Sequence, residues 1–273
     1  MIIRILLVFG LFIFLNSCSK DKPLYEPQKL IDPYKSYKEA FEAFEQNDFF
    51  FANKKFTEAE MNFDIPDLAA KSAIMSSYSL YGMNLYGEAE ESLIRYLKNY
   101  PADKNVMYAH YLTAIIFFEQ IGEEKYDLKP LLKAKEKIDF FLEKYPNSEY
   151  AIDLNFKKNL VQNQFAAKEL YVAKYYISVQ KWVPAIKRLK LIVKDYDDTI
   201  FIEEALHRLV EIHFHLGLKD EAQKYASILG YNYNSGEWFE QSYKILNKEY
   251  KTFTKTEIKN EKNLFNKIIE MIK

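Results

Sequence analysis

Three segments decide the fold of this chain: AEESLIRYLKNYP at 89–101, AKEKIDFFLEKYP at 134–146 and AIKRLKLIVKDYD at 185–197. Each begins with alanine, has large apolar residues four and seven positions later, and has tyrosine eleven positions later. This spacing places the alanine and both apolar side chains on one face of an α-helix. Segments that begin at Ala52 and Ala222 match the pattern less completely. The sequence therefore predicts five helices of one kind.

These helices are expected to be the second members of five antiparallel helix pairs. The small alanine lets two helices approach closely, the apolar residues fill the space between them, and Pro101 or Pro146 ends the helix. Gly217, five residues before Ala222, is expected in the turn between two helices. The pattern resembles the tetratricopeptide repeat, which implies an all-α fold: a right-handed α-solenoid of about five such pairs with an additional C-terminal helix.

Two features interrupt the regular repeat. Successive alanines are 37, 45, 51 and 37 residues apart, so segments must be inserted in the middle of the chain. Residues 122–130 (GEEKYDLKP) predict a loop within the third repeat. No glycine or proline lies between Pro146 and Pro184, which predicts one long helix shared by two repeats.

Cys18 is the only cysteine of the 273 residues, and it follows the apolar run 5–15. Eleven apolar residues are too few to span a bilayer and are typical of a signal peptide. The string Leu15-Asn16-Ser17-Cys18 resembles a bacterial lipobox, which implies cleavage before Cys18 and a covalent lipid on its sulfur. Ser19 implies export to the outer membrane. We therefore expect a lipid-anchored protein on the periplasmic face of the outer membrane.

The predicted organisation has four parts. Residues 1–17 are a signal peptide, and residues 18–34, with three prolines, are a lipidated tether. Residues 35–235 form the solenoid, with an N-terminal half at 35–146 and a C-terminal half at 147–235. Residues 236–273 form a helical tail whose partner the sequence does not indicate.

Composition and motifs argue against catalysis. The net charge of −1 does not suggest a nucleic-acid partner. The chain has neither a phosphate-binding glycine loop nor a G-x-S-x-G motif. His213 and His215 are two residues apart, which places them on different faces of a helix and disfavours a metal site. We expect no enzyme, no metal and no cofactor other than the lipid on Cys18.

Several local strings resemble the BamD family, lipoproteins of the outer-membrane β-barrel assembly machinery. They are Val106-Met107-Tyr108, Tyr145-Pro146-Asn147-Ser148-Glu149-Tyr150, the run 171–176 (YVAKYY), the run 182–188 (WVPAIKR) and the run 195–199 (DYDDT). The resemblance covers about residues 30–231. Asp197 departs from it, since the family usually has proline there.

This resemblance implies a scaffold. The C-terminal repeats would bind a periplasmic POTRA domain of the barrel-forming subunit BamA, with Arg188 and Trp182 as the contact residues. The N-terminal repeats would receive unfolded outer-membrane proteins, and other assembly lipoproteins would bind elsewhere. Tyr78, Tyr81 and Tyr108 are candidates for the substrate groove, with Arg95 for a terminal carboxylate.

Other interpretations remain open from the sequence. The tyrosines could pack between helices, and Arg188 could be a solvated surface residue. The chain could also be another periplasmic tetratricopeptide lipoprotein that coordinates cell-wall synthesis or a secretion channel.

The lipobox gives a direct prediction. Cys18→Ser removes the only thiol, so the variant should incorporate no labelled fatty acid and should keep its signal peptide. Metabolic labelling followed by immunoprecipitation measures both effects. Labelling equal to that of the parent protein would exclude Cys18 as the lipid site.

Overall fold

The computed structural model describes residues 31–234 and 236–247, and every regular element in these ranges is an α-helix. Eleven helices follow one another in this part of the chain: α1 (Pro33–Glu45), α2 (Phe49–Asn62), α3 (Pro66–Gly82), α4 (Tyr86–Asn99), α5 (Val106–Glu119), α6 (Lys129–Lys144), α7 (Glu149–Ser178), α8 (Trp182–Asp195), α9 (Ile202–His215), α10 (Lys219–Asn232) and α11 (Glu237–Leu246). Cys18, the rest of 1–30 and the tail from 248 lie outside the described residues.

Each helix packs mainly against the helices before and after it. The odd-numbered helices α1 to α9 are the first members of five pairs, and the even-numbered helices are the second members. Helix α11 contacts α9 as well as α10, and so lies where the first helix of a sixth pair would lie. Within the described residues, the predicted α-solenoid of five pairs plus one helix is therefore confirmed.

The five repeat alanines all lie in second helices and are completely buried; they are Ala52, Ala89, Ala134, Ala185 and Ala222. The side chains four and seven positions later are at most 1% exposed in every repeat. Because an alanine side chain occupies so little space, the backbones of neighbouring helices can lie close together around it. The sequence pattern thus identified the residues that the second helices contribute to the core.

Four of the pairs use the same turn. The residue five positions before the alanine has a positive φ: Asn47 (60°), Asn84 (59°), Gln180 (56°) and Gly217 (76°). In each turn, its N–H donates to the carbonyl three residues earlier, and the next N–H donates to the carbonyl five residues earlier. This is the Schellman arrangement, which satisfies the carbonyls at the end of the first helix. Gly217 confirms the predicted turn.

An aromatic residue ends the second helix of every pair, eleven positions after the alanine. These residues are Phe63, Tyr100, Tyr145, Tyr196 and Tyr233, and each N–H donates to the carbonyl four residues earlier at 2.8–3.0 Å. Phe63 and Tyr233 belong to the two repeats that matched least well, where no proline follows the aromatic residue. The aromatic residue therefore marks the helix end more regularly than proline does.

The third pair differs from the others. Its helices are joined by a loop at 120–128, so the predicted loop 122–130 is shifted and Pro130 lies in the first turn of α6. Proline suits this position because its nitrogen has no hydrogen to leave unpaired. Two side chains of α7 hold the loop: the Gln164 amide donates to the Gly122 carbonyl at 2.8 Å, and Lys168 donates to the Tyr126 carbonyl at 2.7 Å.

The predicted long helix is α7, with 30 residues. The predicted division at 146/147 falls in the turn before α7, but one hydrophobic cluster joins α5, α6 and α7 across it. The two halves therefore share a continuous core. At the N-terminus, α1 begins at Pro33, two residues before the expected start of the solenoid, because Asp32 caps the helix by accepting from the Tyr34 N–H at 3.0 Å.

Candidate binding surfaces

Five partly buried tyrosines form one surface on the first helices, which we call the tyrosine surface. Its members are Tyr78 and Tyr81 of α3, Tyr108 and Tyr111 of α5, and Tyr150 of α7. Ring centroids are 5.6 Å apart for Tyr78–Tyr81, 5.8 Å for Tyr108–Tyr150 and 4.5 Å for the stacked pair Tyr111–Tyr150. The structure thus brings together the three predicted tyrosines and adds two that the sequence did not single out.

Three hydroxyl groups of this surface are kept protonated by their surroundings. Burial raises the pKa of Tyr81, Tyr108 and Tyr111 above the ordinary value, and nearby tyrosines add to the effect at Tyr108. The Tyr111 hydroxyl donates to Asp153 Oδ2 at 2.9 Å, and Lys157 Nζ lies 2.8 Å from the other oxygen of that carboxylate. The surface therefore offers flat apolar rings together with neutral hydroxyl groups that can donate and accept hydrogen bonds.

Arg95 does not belong to this surface. It lies on α4, a second helix, where its guanidinium forms a two-pronged ion pair with Glu60 of α2; Nη2 lies 2.8 Å from Oε2. The Tyr100 hydroxyl also donates to Glu60, at 3.2 Å. The Glu60 side chain is only 6% exposed, so its carboxylate depends on these partners. Arg95 therefore has a structural role within the chain, and its expected role as the receiver of a substrate carboxylate stays a prediction.

Arg188 is also paired within the chain, although less completely. Its Nη1 lies 3.0 and 3.2 Å from the two carboxylate oxygens of Glu169 on α7. The Arg188 side chain is 44% exposed, whereas that of Glu169 is 17% exposed. Much of the guanidinium therefore faces solvent from α8, with a fixed carboxylate behind it.

Trp182 faces a different neighbour, since its ring lies 4.9 Å from that of His215 on α9. Both residues line a cavity of about 610 Å³, which we call the C-terminal pocket. Most of its wall is apolar, and it carries one ion pair, between Arg208 Nη1 and Glu211 Oε2 at 2.7 Å. The lining residues are Ile177, Trp182, Arg208, Glu211, Ile212, Phe214, His215 and Ile245.

A buried histidine that the sequence analysis missed holds α11 beside this pocket. His207 of α9 is 1% exposed, and its Nδ1 lies 2.8 Å from Ser242 Oγ of α11. Its other ring nitrogen lies 3.5 Å from Glu211. The hydrogen bond from His207, together with that from Arg208, lowers the pKa of Glu211 to about 2. Glu211 is therefore ionised at neutral pH.

Three remaining questions from the sequence concern His213, metal binding and membrane-spanning helices. The His213 ring nitrogen Nδ1 lies 2.7 Å from the Leu209 carbonyl, inside its own helix. Within 31–234 and 236–247, no group of three or more histidine, cysteine or acidic side chains could hold a metal ion. Over the same residues, no helix combines the length and apolarity that a membrane crossing needs.

Comparison with known proteins gives consistent matches. Residues 31–229 match the model of the family YfiO, described as outer membrane lipoprotein. The chain is similar to the outer membrane protein assembly factor BamD of Rickettsia prowazekii, with 33% identity over 180 residues, which cover 66% of this chain and 72% of that protein. It is also similar to the BamD proteins of Caulobacter vibrioides (33% over 192 residues, 70% and 63%) and Neisseria meningitidis serogroup A (23% over 243 residues, 84% and 91%).

The pairing of Arg95 predicts a stability effect. Arg95→Met leaves the Glu60 carboxylate buried without its cation, so the free energy of unfolding should fall by about 1–3 kcal/mol. This is less than for a fully buried pair, because Arg95 is partly exposed. Urea unfolding followed by circular dichroism measures the change.

Two further variants distinguish loss of the Arg95–Glu60 ion pair from the effect of removing any positive charge on α4. Adding Glu60→Gln to Arg95→Met should restore part of the loss, and Lys98→Met, at an exposed position of the same helix, should have little effect. An Arg95→Met protein as stable as the parent would contradict the structural role.

Proposed function

Because the chain belongs to the YfiO family of outer membrane lipoproteins, we propose that it acts as a scaffold in the assembly of outer-membrane proteins. The relatives are named as assembly factors, and family membership confirms that the chain is not an enzyme. Family membership also associates the chain with the outer membrane. We place it on the periplasmic face, held by lipid on Cys18.

The observation that carries the proposal is the tyrosine surface, and its occupant is an unfolded segment of an outer-membrane protein. Such a segment is extended and has unpaired N–H and C=O groups, and in barrel strands apolar side chains alternate with polar ones. Tyr78, Tyr81 and Tyr108 offer rings for its aromatic side chains and hydroxyl groups for its backbone. A surface of this chemistry accepts many sequences, as an assembly factor with many clients requires.

The recognition of a terminal carboxylate receives less support. Arg95 is engaged with Glu60, and Lys157, which adjoins Tyr111 through Asp153, already has a carboxylate partner. We therefore assign recognition to the aromatic side chains and backbone of the segment.

A peptide experiment tests this assignment. A barrel-strand peptide that ends in phenylalanine should bind the Tyr108→Leu variant about five- to tenfold more weakly, because the ring–ring contact and the hydroxyl are both lost. Tyr108→Phe should fall between that variant and the parent. Fluorescence anisotropy of a labelled peptide gives the affinities.

The matched control is Tyr231→Leu, at a residue that is 88% exposed on α10 and lies outside the tyrosine surface. It should bind like the parent. The same peptide with an amidated C-terminus should also keep its affinity. Equal affinity of Tyr108→Leu and Tyr231→Leu would exclude the tyrosine surface as the binding site.

The second part of the proposal concerns the C-terminal repeats, which we infer bind a POTRA domain of the barrel-forming subunit. The exposed part of the Arg188 guanidinium supports a contact with a carboxylate of the partner. Glu169 holds the guanidinium in place, so little side-chain entropy would be lost on binding. Trp182, at the beginning of α8, would contribute apolar area on another face of the same helix.

Neutralising Arg188 tests this contact. Arg188→Gln should weaken binding to the isolated POTRA region by about tenfold or more, since one partner of an interface ion pair is removed. Lys187→Gln, at the adjacent exposed position of α8, is the matched control and should bind normally. Calorimetry measures both affinities, and unchanged binding by a folded Arg188→Gln protein would refute the contact.

A further inference from the structure

We propose that the C-terminal pocket is the docking site of the chain's own tail, residues 248–273, which binds there through its apolar face and covers Trp182. The structure shows the pocket, and the sequence shows an apolar pattern in the tail. The described chain ends close to the pocket, which connects the two observations.

The pocket has the form of a receptor for apolar side chains. Four helices contribute to its wall: Ile177 from α7, Trp182 from α8, Ile212 and Phe214 from α9, and Ile245 from α11. A volume of about 610 Å³ accommodates several large side chains. The Arg208–Glu211 ion pair provides a fixed polar group within it.

Exposed apolar side chains also occur at positions that adjoin the pocket-lining residues along the chain. Val183 follows Trp182 and is 65% exposed, and Leu216 follows His215 and is 41% exposed. Val179, in the turn between α7 and α8, and Leu218, in the turn between α9 and α10, are exposed as well. Exposed apolar side chains so close in sequence to the lining of an apolar pocket favour a surface that another element covers.

The end of the described chain brings the tail to this surface. Ile245 lines the pocket, α11 ends at Leu246, and the tail starts at Lys248, a few residues from the pocket wall. The 26 residues of the tail span about 39 Å as a helix and more when extended. Residues 248–263 are therefore enough to reverse the chain direction and return the segment 264–272 to the pocket.

The tail sequence has the pattern that such a pocket needs. Residues 264–272 read LFNKIIEMI, with apolar residues at the first, second, fifth, sixth, eighth and ninth positions. This spacing places them on one side of a helix, and lysine, asparagine and glutamate occupy the rest. A helix with such a stripe gains free energy when the stripe is buried in an apolar groove.

Docking of the tail has a consequence for the C-terminal repeats. Trp182 is one of the residues that we propose for contact with the POTRA domain, so a docked tail would compete with that partner. This consequence rests on the proposed function, whereas the docking itself does not.

Trp182 can report on docking, because the chain has only two tryptophans. In the full chain carrying Trp238→Phe, all tryptophan fluorescence comes from Trp182. Adding Leu264→Ser, Ile268→Ser and Ile272→Ser should shift the emission to longer wavelength and increase its quenching by acrylamide. The control triple Lys259→Ser, Asn266→Ser and Glu270→Ser changes the opposite side of the predicted helix and should leave both signals unchanged.

A synthetic peptide of residues 248–273, added to the apolar triple variant, should restore protection of Trp182. A cooperative thermal transition by circular dichroism in every variant would establish that the solenoid is folded. Identical quenching in the parent and the apolar triple variant would overturn the proposal. Protection that increases with protein concentration would also overturn it, because the tail of a second copy would then fill the pocket. Binding of the peptide only to phosphatidylglycerol-containing vesicles would overturn it as well, because the tail would then act at the membrane. None of these measurements uses a POTRA domain, so they stand or fall separately from the proposed function.

Discussion

The solenoid depends on one fully buried alanine in the second helix of each pair, where neighbouring helices approach closely. A larger side chain at this position would push the helices apart, and close-packed interiors tolerate little extra volume. The alanine also fixes the rotation of the second helix, since the residues four and seven positions later then face the same core. Each pair buries its apolar face against the next, so the geometry of one contact is repeated along the chain.

Much of the fold follows from the sequence for this reason. The alanine, its two apolar companions and the long glycine- and proline-free segment predicted the second helices and α7. The turns were harder to predict, because Asn47, Asn84 and Gln180 adopt a backbone conformation for which glycine is the usual signal. The regular position of the closing aromatic residue was missed at Tyr233, because proline had been taken as the mark of the helix end.

The residues of the binding surfaces were predicted only in part. The parts that were missed depend on contacts between residues that are far apart in the sequence. Tyr78, Tyr81 and Tyr108 could be chosen because they lie on first helices, but their association with Tyr150 depends on how α5 and α7 adjoin. The position of Arg95 is set by Glu60, 35 residues away, and no local pattern reveals such a pairing. His207 was missed for the same reason, since its partner Ser242 lies on a helix beyond the last repeat.

The length of α7 has a mechanical meaning. Tyr150 stands near its beginning and Glu169, the partner of Arg188, lies 19 residues further along, which corresponds to about 28 Å of continuous helix. A helix of this kind, packed on both sides, acts as a stiff strut. A client on the tyrosine surface and a partner held at Arg188 would therefore be kept at a constant separation. A movement of the client would be transmitted to the partner at Arg188 as a tilt or rotation of the whole helix. The length of α7 would therefore set the distance between the two bound proteins.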